Sequence, residues 1–274
     1  MIDMPFKGTL LVPIFALVTD VLRAVMSCIR HISVLSFVLM CFSNPASTAS
    51  NNADSCLTAK SSGASSAILE ETVRVCTAAL NEPGPSGRLS GELHMKRGVA
   101  HRFAGDFQKS LDDLTKSVAL DPDSAKNKRM LGWTLYTLNR LEEARATYDA
   151  ALALDREDQG LLSRCDISMR ERKWDLARND CEESLSLHRN PDSLFMTPLI
   201  YSQLGLDLKA IALLEEAISR TDAEARAHVL LSCIYVRAGK VDLAEAIRKA
   251  GMLKFPVDFE NEERAMPCQT LLVF

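Results

Sequence analysis

Aromatic residues make up only 6% of this 274-residue sequence, a scarcity that disfavours sheets built from aromatic and β-branched side chains. Basic runs are missing too: no block of five or six Lys or Arg occurs, and the formal net charge is -4. That excludes the electrostatic footprint of a nucleic-acid-binding protein. There is no C-x-x-C pair, and His31, His94, His101, His188 and His228 lack the spacing of metal ligands. His94 and His101 share one helix and read as packed or solvated residues. No G-x-S-x-G, no glycine-rich phosphate loop and no cysteine with a neighbouring histidine is found, so the chain is expected not to be an enzyme and to carry no cofactor or metal. Neither N-terminal apolar stretch reaches the ~20 residues that cross a bilayer.

What the sequence does contain divides at about residue 50. Two apolar stretches, Gly8 to Val18 and Ile32 to Phe42, open the chain. Arg30 and His31 precede the second, and Ser43-Asn44-Pro45-Ala46-Ser47-Thr48-Ala49 follows it, the charge, apolar core and small-residue order of a secretory signal with cleavage after Ala49. Met26 begins a compact version of the same signal. The alternative is a retained membrane anchor over residues 1–49. Lys7, Arg23 and Arg30 lie before the second stretch, and no positive charge follows until Lys60, which places the body across the membrane in either case. A periplasmic or otherwise extracytoplasmic location is expected. Residues 50–66, within a tract rich in Ser, Ala, Asn and Thr, read as a flexible linker.

Beyond residue 66 Ala and Leu dominate, and a period appears. Gly98 precedes Gly132 by 34 residues, Ser110 precedes Ala144 by 34, and Leu114 precedes Tyr148 by 34. Gly98, Gly105, Phe107, Leu114 and Asp121-Pro122 mark one unit over 91–124. Gly132, Leu141, Ala144, Tyr148 and Ala151 mark the next over 125–158. Trp174, Ala177 and Cys181 sit in a third over 158–191, with Cys165 where glycine is usual, and this helix pairing is the weakest. Tyr201, Gly205, Ala210, Leu214 and Ala217 continue the phase over 191–224, and Leu231, Tyr235, Gly239, Ala244 and Pro256 over 225–258.

In these positions the chain resembles the tetratricopeptide-repeat (TPR) family, of an exported bacterial type. The resemblance implies an all-α, right-handed α-solenoid of about five helical hairpins plus an N-terminal capping helix, within a domain over 67–258, with 259–274 as a C-terminal tail or cap. It also implies a concave groove lined by the first helix of each hairpin. The groove positions of the family fall on Met95, Val99, Arg102 and Phe103, on Arg129, Trp133 and Tyr136, on Leu162, Met169 and Arg170, and on Phe195. Trp133 and Tyr136 either line this groove or pack between repeats. An apolar groove edged by arginines suits a protein or peptide partner whose acidic groups meet Arg102, Arg129 or Arg170. The carboxylate pairs Asp112-Asp113, Glu142-Glu143, Glu182-Glu183 and Glu215-Glu216 read as solvated helix faces.

Cys56 and Cys76 are candidates for a bridge tying the linker to the leading helix in an oxidising compartment. Cys165 and Cys181 read as small buried core residues, a second bridge being the alternative. The leading functional expectation is an interaction scaffold in an envelope assembly or secretion complex. The alternatives are a thiol-redox accessory that exchanges through Cys233 or Cys268, or a membrane-anchored cytoplasmic adaptor.

Overall fold

The computed structural model describes residues 45–268. Thirteen helices run in order among them: α1 Pro45–Thr58, α2 Ser66–Asn81, α3 Gly87–Phe103, α4 Phe107–Leu120, α5 Ala125–Thr137, α6 Leu141–Leu154, α7 Asp158–Arg170, α8 Trp174–Leu187, α9 Ser193–Gln203, α10 Asp207–Ser219, α11 Ala225–Arg237, α12 Val241–Lys254 and α13 Pro256–Ala265. No strand occurs among the described residues. The signal or anchor expected over 1–49 lies outside them, except for its last five residues, which open α1.

Helices α3 to α12 form five consecutive hairpins, each turning through one residue in the left-handed region. That residue is Gly105, Asn139, Arg172, Gly205 and Gly239 in turn, with φ of 86°, 58°, 56°, 70° and 70°. Glycine adopts this conformation without Cβ strain, and asparagine tolerates it. Arg172 holds it because its backbone N–H donates to the Met169 carbonyl at 2.9 Å, while Lys173 N–H reaches the Ser168 carbonyl at 2.8 Å.

Within the first two hairpins the two helices approach where the eighth residue of the repeat is glycine. A Cβ on Gly98 would lie 2.9 Å from Leu114 Cγ, and one on Gly132 would lie 3.1 Å from the Tyr148 ring. Leu114 and Tyr148 therefore fill the space that glycine leaves, and both are buried. In the third hairpin the equivalent positions are Cys165 and Cys181, whose sulfurs lie 2.05 Å apart in disulfide geometry. These cysteines are thus bridged rather than independent core residues, and the hairpin expected to pair most weakly is cross-linked. Arg164 reinforces it by donating from Nε and Nη2 to both carboxylate oxygens of Asp180 at 2.8 and 2.6 Å. The first hairpin repeats this device: Arg97 grips Asp113 at 2.8 and 2.7 Å, and His94 Nδ1 lies 2.9 Å from the same carboxylate.

Neighbouring hairpins are joined by a second recurrent set of bonds. Tyr201 donates to Glu182 and Tyr235 to Glu215, each at 2.9 Å. Arg156 binds Glu183, and Arg189 binds Glu216, both through two nitrogens. The Glu182-Glu183 and Glu215-Glu216 pairs are therefore inter-repeat connectors, not merely solvated faces. Nearest-neighbour contacts of this kind are what stabilise a solenoid, because no hairpin can bury its apolar face alone.

Both ends are covered. Residues 50–66, expected as a flexible linker, largely belong to α1 and its turn into α2. Ala53, Cys56 and Leu57 recur at helical spacing and pack with Val75, Cys76 and Ala79 of α2 and Leu93 of α3. The Cys56 and Cys76 sulfurs stand 1.97 Å apart, so this hairpin is cross-linked as well. At the other end Phe259 of α13 is fully buried among Ala225, Val229 and Cys233 of α11. Cys233 and Cys268 are also in disulfide geometry, with Cα atoms 5.1 Å apart. Residues 269–274 of the expected tail lie outside the described residues.

Three outcomes follow from this packing. A Cβ at Gly251 would meet the Phe259 ring at 2.5 Å. Gly251→Ala is expected to lower stability by about 1 kcal/mol despite the ~1 kcal/mol gain in helix propensity, read as a lowered thermal midpoint. Cys165→Ala with Cys181→Ala is expected to lose on the order of 3 kcal/mol in denaturant unfolding. Burial raises the Asp113 carboxyl, but the hydrogen bonds from Arg97 and His94 prevail and hold it below its ordinary value. The stability it supplies is present above about pH 4 and lost as pH falls further. Asp113→Asn should be less stable near neutral pH and should show a shallower acid-induced loss than the parent, both measured by denaturant titration across pH.

Candidate functional site in the concave groove

Successive first helices, α3, α5, α7, α9 and α11, approach one another directly, whereas the second helices make no comparable approach. The stack is consequently tighter along the first helices, and their outer faces line its concave side. At the N-terminal end of that side lies a cleft of about 250 Å³. Met95, Val99, Arg102 and Phe103 of α3 form one wall, and Trp133 with Met130 of α5 the other. Ala59, Ser61 and Ser62, from the turn between α1 and α2, close its end, and Lys96 and Lys126 edge it. Lys96 Nζ donates to the Ala59 carbonyl at 3.3 Å, which ties the turn to α3.

The floor is a stacked triad. The Arg102 guanidinium lies 3.0 Å from the centroid of Trp133 and 4.4 Å from that of Phe103. The two rings meet edge to face with centroids 6.1 Å apart. Such contacts orient the guanidinium plane through the ring quadrupoles. Trp133 and Phe103 remain 40% and 38% exposed, whereas the other aromatic residues among those described are buried or half-buried. Arg102 itself is 7% exposed, and burial pushes its pKa down to about 10. Burial and the nearby Lys126 charge also lower the Lys96 ammonium.

The remaining expected groove residues are distributed differently. Tyr136 donates its hydroxyl to Asp166 and is capped by Arg170, whose guanidinium carbon is 4.1 Å from the ring centroid. Burial and the Asp166 bond raise the Tyr136 phenol above its ordinary value. Tyr136 thus joins α5 to α7. Arg129 is engaged by Glu157 at 3.0 Å and is not a free counter-charge for a partner. Leu162 is buried beside the Cys165–Cys181 pair, with Met169 packed partly buried against that cluster. Phe195 is buried in the core of the last two hairpins, beneath Arg226 at 4.7 Å. Of the eleven candidate groove positions, five surround the N-terminal cleft: Met95, Val99, Arg102, Phe103 and Trp133. Lys96, Met130 and the 59–62 turn were not among the candidates. The first two sit one residue beyond the expected groove position, and the turn lies in the segment whose Ser, Ala, Asn and Thr content predicts a linker.

No group of His, Cys, Asp and Glu that could hold a metal ion occurs among the described residues. No helix among them is long and apolar enough to cross a membrane.

Residues 95–159 match the family model for the tetratricopeptide repeat. Among solved structures, the chain is similar to pilF of Pseudomonas aeruginosa, with a TM-score of 0.64 and 16% identity over 80% of this chain and 99% of that one. It is also similar to PilW, described as a type IV pilus biogenesis factor, with a TM-score of 0.62 and 20% identity over 71% and 90% of the two chains. YrrB, described as a TPR protein with an unusual peptide-binding site, aligns with a TM-score of 0.53 and 13% identity over 67% and 94%. At these identities the likeness speaks to the fold. Together with the five phased hairpins it shows the fold of tetratricopeptide-repeat proteins, and residues 95–159 match that family's model.

Proposed function

We propose that the protein is an interaction scaffold that holds an extended or helical segment of a partner protein in its concave groove, anchored at the cleft between α3 and α5, and performs no chemistry of its own. The observation that carries this reading is the exposure of Trp133 and Phe103 side by side on the concave face, at 40% and 38%. Aromatic side chains left open in a preformed cleft are favoured anchors for a partner's apolar residues. The surrounding repeats supply a rigid curved frame, and rigidity lowers the ordering cost of binding.

An extracytoplasmic setting in an envelope assembly or secretion complex fits several features. The charge order of residues 1–49 favours export of the body. Three cysteine pairs in disulfide geometry suit an oxidising compartment. PilW, one of the proteins with the same fold, is a pilus biogenesis factor. The pairing of Cys233 with Cys268 in disulfide geometry favours the scaffold reading over an exchange that needs a free thiol at either residue. A membrane-anchored cytoplasmic adaptor would need the reverse of the charge bias.

Affinity capture with the full chain, compared with a Phe103→Ala, Trp133→Ala variant, tests the groove reading, with bound proteins identified by mass spectrometry. The expected outcome is one or more specific partners lost from the variant while its circular dichroism is unchanged. Recovery of the same partners in the same amounts from a folded variant would place binding elsewhere.

A further inference from the structure

Among the described residues, the arginines that are at least partly buried follow a rule with one exception. Arg97, Arg129, Arg145, Arg164, Arg178, Arg220, Arg226 and Arg237, all at least partly buried, each have a carboxylate within 4.0 Å. Arg102 is more buried than any of these and has no carboxylate of the described residues within that distance. Its Nε and Nη2 are enclosed with no hydrogen-bond acceptor. Removing a charge from water is costly, and the two ring faces offset only part of what a carboxylate partner would supply. The cleft beside it contains no Asp or Glu among its lining residues, while Lys96 and Lys126 add positive charge at the rim.

We infer that Arg102 is a subsite for a side-chain carboxylate of the bound segment, one borne next to a large apolar residue that packs on Trp133 and Met130. The inference rests on the groove reading and narrows it to an acidic, apolar segment. The geometry supports it in three ways. The Trp133 and Phe103 rings fix the guanidinium plane and leave Nη1, the nitrogen outside the enclosed pair, to meet the ligand. An apolar side chain seated against these walls displaces water, which strengthens an ion pair formed beside it. The other arginine expected to take acidic groups at this end of the groove, Arg129, is already occupied by Glu157, which leaves Arg102 as the arginine of the cleft, with Lys96 and Lys126 at its rim.

The sequence contains two tryptophans, Trp133 and Trp174, so a Trp174→Phe background makes Trp133 fluorescence a reporter of the cleft. The probes are two end-blocked pentapeptides, acetyl-Leu-Glu-Phe-Glu-Leu-amide and its counterpart with Gln in place of both Glu. With the purified full chain, the Glu peptide is expected to shift Trp133 emission saturably and to bind about tenfold tighter than the Gln peptide, the order of a hydrogen bond to a charged group. In Arg102→Met the preference should disappear while circular dichroism and the melting midpoint stay close to the parent's. Should Arg102→Met fail to fold, the comparison of the two peptides on the parent decides alone. Equal affinity for both peptides, or a preference that survives in folded Arg102→Met, overturns the carboxylate subsite and leaves the groove reading standing. Binding of neither peptide also overturns it, and the groove reading then stands or falls on whether partner capture responds to Phe103→Ala, Trp133→Ala.

Discussion

The close approach of the two helices in each hairpin is the constraint from which the rest of the molecule follows. Gly98 and Gly132 lack the Cβ that would collide with Leu114 and Tyr148, so a large side chain from the second helix lies directly against the backbone of the first. That approach fixes the angle within the hairpin, and the angle decides which face is left for the next one. Repeating it brings α3, α5, α7, α9 and α11 beside one another and makes a concave side out of faces that the hairpin contacts do not use. In the third hairpin, where Cys165 stands in place of that glycine, the same two positions are joined through Cys165 and Cys181. In these three hairpins one geometric requirement is thus met in two chemical ways.

Electrostatics along the stack is largely internal. Carboxylates at recurring positions accept from the tyrosine of the next hairpin and from the arginine that closes the preceding one, as Glu182 and Glu183 do with Tyr201 and Arg156. Asp113 and Asp180 serve within hairpins. These pairs take up most of the charge that could otherwise recruit a ligand, leaving the concave face with few open contacts. Binding capacity collects where a cation is left uncompensated beside exposed rings, at Arg102, Phe103 and Trp133.

The hairpins were legible in the sequence because they rest on local repetition: the 34-residue spacing of Gly98 and Gly132, and of Leu114 and Tyr148, needs no knowledge of distant contacts. The concave position of Val99, Phe103 and Trp133 followed from the same register. Helix α1 was hidden because its Ser and Asn content argues for a linker, and only Ala53, Cys56 and Leu57 carry a helical face. Their packing against Leu93 decides the matter and lies almost forty residues away. The Arg129–Glu157 pair and the closed Tyr136–Asp166 contact were likewise out of reach, since each joins repeats roughly thirty residues apart. Position in a repeat says which way a side chain faces, but not whether its neighbour already satisfies it.

Hydrogen–deuterium exchange of the full chain, free and bound to the partner recovered by affinity capture, tests the central claim that ligand binding belongs to the concave cleft. Slowed exchange in α3, α5 and the 59–65 turn, with α4, α6 and α8 unchanged, is the predicted result. Protection confined to those second helices, with none at α3 or α5, would contradict the account and move the functional surface to the convex side.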